Sequence, residues 1–148
     1  MRVVQTYDPS TGESLMSNNL ILLVGRLLLS IMFILSGLQK FGGIEGTAGY
    51  ISSVGLPAGT ALAWLAAIFE TLIGIAILVG FQTRAAALLL AAFCVFTGLV
   101  FHYAPADQMQ MIMFMKNVTI AGGLLALFVA GPGALSVDAR RGGAAAYA

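Results

Sequence analysis

The chain has 148 residues, 59% hydrophobic and 9% charged, with a net charge of +1 and a mean hydropathy of +0.97. Soluble domains carry about a quarter charged residues, so this composition places the chain in a bilayer, with length for one domain. The balanced charge gives no basis for binding nucleic acid. The single cysteine, Cys94, excludes an intrachain disulfide, CxxC chemistry and a thiolate metal cage.

Residues 1–19, MRVVQTYDPSTGESLMSNN, are polar and lack a signal-peptide core. They read as a cytoplasmic segment ahead of a membrane domain at 20–131, with a cytoplasmic tail at 132–148. The first apolar span is Leu20–Phe41, ended by Gly42-Gly43. Residues Ile44–Val54 are moderately apolar but too short to cross, which assigns them to the interface. Pro57 precedes the second span, Thr60–Gly80. A short hairpin, Gly80-Phe81-Gln82-Thr83, follows, with Thr83 as N-cap of the third span, Arg84–Tyr103. Pro105 closes that span, and Gly131-Pro132-Gly133 closes the fourth, Ile112–Gly131. The terminal GGAAAYA reads as flexible. Each span has about 20 residues, enough to cross about 30 Å of hydrocarbon as a helix. Hydrocarbon satisfies no backbone polar group, so open strands are excluded. The expected fold is an all-α, integral membrane four-helix bundle in contact with lipid. Arg2, Arg84, Arg140 and Arg141 fall on one side. The positive-inside rule then puts both termini in the cytoplasm.

Within LAWLAAIFETLIGIAILVG, residues Leu62–Gly80, sits one acid, Glu70. An ionised group at mid-membrane costs roughly 2.5–3.5 kcal/mol on insertion scales, so it needs a partner or a proton. Arg26 in the first span and Lys116 in the fourth are candidates, and Lys40 and His102 lie nearer the outer helix ends. Helical spacing puts Arg26, Ser30, Phe33, Gly37 and Lys40 on one face of the first span, and Ala63, Ala67, Glu70 and Gly74 on one face of the second. Lys116, Thr119, Gly123 and Ala126 form a similar stripe in the fourth, and Cys94, Gly98 and His102 align in the third. Small residues beside a charge allow close helix packing. At 1.5 Å per residue, Arg26 lies roughly 9 Å and Glu70 roughly 15 Å from the cytoplasmic face. These depths predict a buried Arg26–Glu70 pair with Lys116 as a second neighbour. Such a pair serves either as a site or only to fix helix register.

Arg26, the run FILSGLQKFGG, Glu70, GFQTRAAA and the stretch MFMKNVTIAGGLLALFVAGPGALSVDA together resemble the DoxX family, over roughly Leu22 to Asp138. The resemblance implies a small bacterial inner-membrane four-helix bundle. Members are often described as oxidoreductase or quinol-oxidase-associated subunits.

Two readings of function follow. In the first, the chain binds a quinone and takes part in its redox chemistry. Arg26, Lys40, Lys116 and His102 donate hydrogen bonds, Glu70 carries protons, and aromatics such as Phe33, Trp64, Phe69 and Tyr103 pack on the ring. The chain has no dinucleotide fingerprint, so electrons come from elsewhere. In the second, the chain is an accessory or anchoring subunit that organises a protein partner, or a second copy of itself, in the membrane. A small transporter is a third option, though four spans without an inverted repeat are few for alternating access. One histidine rules out bis-His haem ligation within one chain. Met109, Met111, Met113 and Met115 suggest a copper site, but steps of two diverge by about 200° on a helix, so they read as apolar filling and no metal is expected.

Overall fold

A computed structural model describes residues 9–142, with side chains from residue 16 onward. Arg2 and the tail after Gly142 lie outside the described residues. The elements are α1 (Pro9–Gly42), α2 (Ile44–Ser53), α3 (Gly59–Val79), α4 (Thr83–Thr97, continued by a π-helical turn at Gly98–His102), α5 (Gln108–Ala130) and α6 (Val137–Gly142). Four helical segments are long and apolar enough to span a bilayer: Met16–Gly42, Gly59–Val79, Thr83–His102 and Gln108–Ala130. The chain is thus an all-α membrane bundle, with no strand among the described residues. Its outward faces carry large apolar side chains such as Leu28, Leu65, Leu72 and Val129, as lipid contact requires.

The bundle is built from two antiparallel hairpins. α1 packs most extensively on α3, and α4 on α5, whereas the contacts between the hairpins are sparser. The α1–α3 seam is where the sequence stripes predict it. Arg26, Ser30, Phe33 and Gly37 are buried on α1, and Ala63, Ala67, Glu70 and Gly74 on α3. Two glycines set the spacing. A Cβ at Gly37 would lie 2.8 Å from the Ala67 carbonyl oxygen, and one at Gly74 would lie 3.0 Å from Ile34 Cγ1. α2, expected at the interface, turns back from α1 and buries Ala48 and Ile51 against Ala63 of α3. α5 departs from expectation. Its buried residues are Ala121, Leu124 and Leu127, while Lys116, Thr119 and Ala126 are exposed and Gly123 is half-buried. The apolar mass of Leu124 and Leu127, not the small-residue stripe, faces the partner helices.

At the end of the bundle where α1 begins, the chain between α5 and α6 is stapled to the other helices. The Arg26 guanidinium is buried, at 1% exposure. It donates to the carbonyl oxygens of Pro132, of Leu135 (2.7 Å) and of Leu78 (3.4 Å). Asn19 accepts from the Ala134 amide at 2.7 Å. Asp138 docks on the α3–α4 hairpin: its amide donates to the Gly80 carbonyl at 2.9 Å. Its carboxylate accepts from the amides of Gln82 (2.8 Å) and Thr83 (2.9 Å) and from the Thr83 hydroxyl (2.9 Å). Thr83, expected as the cap of α4, is instead its first residue. The cap residue Gln82 makes no side-chain bond, and Asp138 satisfies the helix N-terminus from outside.

Burial opposes the charge of Asp138, but the Thr83 and Gln82 amides, the Thr83 hydroxyl and Arg141 outweigh it and hold the carboxyl below the usual carboxylate range. A carboxyl lowered on folding stabilises fully above its unfolded pKa, about 3.9, and loses that contribution as pH falls through the lowered folded value. Asp138→Asn is therefore expected to lower stability at pH 7 by about 0.5–2 kcal/mol. It should also flatten the loss of stability that the native protein shows below about pH 4. Thermal unfolding in detergent against pH measures both. The same assay checks the seam: Gly37→Val should cost about 1–3 kcal/mol by overpacking. Gly25→Ala, where an added Cβ meets nothing within 4 Å, should be near neutral.

Candidate functional site

The sparse packing between the hairpins leaves a cavity of about 1110 Å³. It is at least as large as pockets that enclose small organic ligands, about 300–1,000 Å³. All five longer elements contribute to it. Phe33, Ser36 and Lys40 come from α1, Tyr50 from α2, Phe69 and Glu70 from α3. Phe93, Cys94 and His102 come from α4 and its π-helical turn, and Met113, Lys116 and Asn117 from α5.

Its polar centre is an ion pair. Lys40 Nζ lies 2.9 Å from Glu70 Oε2 and donates also to Ser36 Oγ at 2.7 Å. The Glu70 side chain is 4% exposed and that of Lys40 25%, so the acid is the more enclosed of the two, and both line the cavity. Ser36 and Lys40 are one helical turn apart on α1 and together solvate the charge that hydrocarbon will not. Glu70 Oε1 receives no hydrogen bond among the described residues.

The expected Arg26–Glu70 pair does not form. The antiparallel seam sets Arg26 beside Gly80, Ile34 beside Gly74 and Gly37 beside Thr71. Glu70 is thus level with residue 37 of α1, eleven residues from Arg26, or roughly 16 Å along the axis, beyond a guanidinium's reach. Depths counted from the apolar ends misled because α1 and α3 are staggered: α3 begins beyond the end of α1, alongside α2. Arg26 belongs to the staple, not to the cavity.

Lys116, expected as second neighbour of Glu70, lines the cavity, but its Nζ contacts Met113 Sδ at 3.8 Å and, among the described residues, no carboxylate. His102 also lines it, and its Nδ1 lies 2.8 Å from Gln110 Oε1. With the amide oxygen as acceptor, Nδ1 carries the proton and Nε2 accepts. Phe33 forms part of the wall. Trp64, expected to face a ligand, points outward at 47% exposure and packs on Phe41 with ring centroids 5.7 Å apart. Tyr103 is likewise outside, edge-on to Phe114. Of the methionines, Met113 faces the cavity, whereas Met111 and Met115 line a separate recess on the outer side of α5.

Sequence reasoning missed Tyr50 and Asn117. Tyr50 stacks on Phe101, with centroids 5.5 Å apart, and donates to the Phe101 carbonyl at 3.2 Å, tying α2 over the cavity to the end of α4. Asn117 lies opposite Gly98, where a Cβ would come 3.1 Å from Asn117 Cβ. The Gly98-to-Asn117 pairing has no signature in either helix alone.

This architecture defines a four-span membrane bundle with a charged pair walled into an apolar cavity. The chain belongs to the DoxX family, whose pattern matches residues 21–103. It is 45% identical over 116 residues, 78% of this chain and 88% of the relative, to the inner membrane protein YqjF of Escherichia coli strain K12. It is 37% identical to the inner membrane protein YphA of the same strain, over 81% of this chain and 89% of that one. A shorter match, 36% identical over 66 residues, 45% of this chain and 48% of the relative, is to a Bacillus subtilis strain 168 protein named "Putative oxidoreductase CatD". No solved structure matches the chain significantly.

A double-mutant cycle tests the pairing. Lys40→Met or Glu70→Leu alone should cost about 3–5 kcal/mol by stranding a buried charge, and the double variant should recover most of it. Arg26 and Glu70, having no shared partner, should instead be additive within about 0.5 kcal/mol.

Proposed function

We propose that the protein is a membrane subunit of a redox system, binding a quinone-type ring in the cavity between its two hairpins while a partner protein exchanges the electrons. The observation that carries this reading is the Lys40–Glu70 pair on the wall of an apolar cavity of about 1110 Å³. A ring that alternates between carbonyl and hydroxyl oxygens needs donors in one state and acceptors in the other. Lys40 and Lys116 supply N–H donors, and Glu70 Oε1 and His102 Nε2 supply acceptors. Phe33, Phe69, Phe93 and Phe101 offer flat apolar surface.

The chain carries no dinucleotide fingerprint and one cysteine, which favours a partner as the electron source. This makes the chain an accessory or anchoring subunit in the electron path, with the ring site as its own contribution. The name of the CatD relative points the same way. Arg84, Arg140 and Arg141 gather at the stapled end, which supports a cytoplasmic location for that end and sets the cavity in the opposite half of the membrane.

Protein purified in mild detergent is expected to yield about one quinone per chain on organic extraction and mass spectrometry. The double variant Lys40→Met with Glu70→Leu, in which no charge is stranded, should lose it at least tenfold, and Trp64→Phe, outside the cavity, should retain it. A quinone-free native protein that arrives with a fixed partner would move the ring chemistry to that partner.

A further inference from the structure

We infer that the cavity is entered sideways from the bilayer, through a doorway between α1 and α5 with Lys116 at its sill, and that its ligand is a long-chain amphiphile. The head passes inward to Lys40 and Glu70, while the chain lies outside along α5. This rests on the cavity being a ligand site, as proposed above, and adds the route and the tail.

The doorway follows from where α1 and α5 touch. Towards the stapled end they meet at Leu29 and Gly123, where a Cβ on the glycine would lie 3.5 Å from Leu29 Cδ2. Towards the other end the cavity separates them. Met32 and Gln39 on α1 and Lys116 on α5 line the cavity and are exposed. Exposed cavity-lining side chains on two facing helices are what an opening between them would leave.

A second observation is independent of the first. On the outer side of α5 lies a shallow recess of about 510 Å³, walled by Met111, Ile112, Met115, Thr119 and Ile120. Lys116 and Ile120 line both this recess and the cavity. The two spaces therefore adjoin at these two side chains, the point where a single chain would cross from one to the other. Apolar, methionine-lined surface suits a flexible hydrocarbon or isoprenoid chain.

Lys116 explains itself in this position. A lysine two turns inside a spanning helix is costly unless its charge is used or reaches water. Among the described residues its ammonium bonds to the Met113 sulfur alone, while Glu70 is already paired with Lys40. At the sill it meets each entering oxygen-bearing head first, and its four-carbon stem swings without disturbing the helix. The cavity also has exposed lining at Leu65 and Phe96, but neither of these side chains is charged.

The test separates chain from head. Protein in nanodiscs is titrated with a quinone bearing a long isoprenoid tail and with the same ring lacking a tail. The comparison is between native protein and a doorway-narrowing variant, Met32→Phe with Ile120→Phe. The variant should weaken the long-tailed quinone at least tenfold more than it weakens the tail-less ring. Equal weakening of both, or no change in either, overturns the doorway.

A second measurement needs no quinone. In a Trp64→Phe background, Phe93→Trp puts a lone fluorophore on the cavity wall. Phospholipids with brominated chains should quench it, and the narrowing substitutions should remove at least half of that quenching. If native protein binds neither quinone, the ring proposal fails, and the quenching decides the doorway alone. Quenching that is absent, or indifferent to Met32 and Ile120, overturns it.

Discussion

The carboxylate of Glu70 has to be solvated by the protein itself, because nothing in hydrocarbon does so. The answer lies across the α1–α3 seam, where Lys40 meets Glu70 and is itself steadied by Ser36 one turn back. For those groups to meet, the two helices must approach closely, and Gly37 and Gly74 remove the side chains that would hold them apart. The register that brings Lys40 to Glu70 also brings Arg26 to Gly80, so one antiparallel alignment settles both ends of the bundle. An ion pair of this kind adds little net stability over an apolar pair of the same volume, and its best-attested structural use is to specify register.

The polar residues of the membrane domain divide into two groups with different work. Arg26, Asn19 and Asp138 gather the loops at one end, each hydrogen-bonded to backbone groups there that would otherwise be orphaned. They close the bundle. Lys40, Glu70, His102 and Lys116 lie at the other end around open space, and each keeps donor or acceptor capacity after its protein bonds are counted. Tight packing within each hairpin and loose packing between them creates that space. The π-helical turn at Gly98–His102 lies beside it, as such turns do at functional sites.

Much of this was legible in the residues. The spans came from apolar length and the breaks from glycine and proline. The buried stripes of α1 and α3 came from helical spacing, because one face of each helix sets small residues beside a charged one at steps of three and four. The α5 stripe misled because small residues beside a lysine look like an interface, whereas Leu124 and Leu127 form the packed face. Trp64 misled because an aromatic near a carboxylate reads as a site residue, and side-chain direction alone puts it on Phe41 outside.

The sequence by itself determined that the chain is a membrane bundle of the DoxX kind, that Glu70 needs a partner or a proton, and which faces of α1 and α3 meet. The likeness to DoxX rests on its ordered motifs; the rest follows from local quantities: hydropathy, period and the cost of a charge in lipid. Only the tertiary structure decided which cation Glu70 takes, because two lysines and an arginine satisfy the same local requirement. The choice among them is made by the stagger of α1 against α3. The cavity and its mouth were likewise undecided until then, since empty space between two hairpins is a property of how four helices fit and of no helix singly.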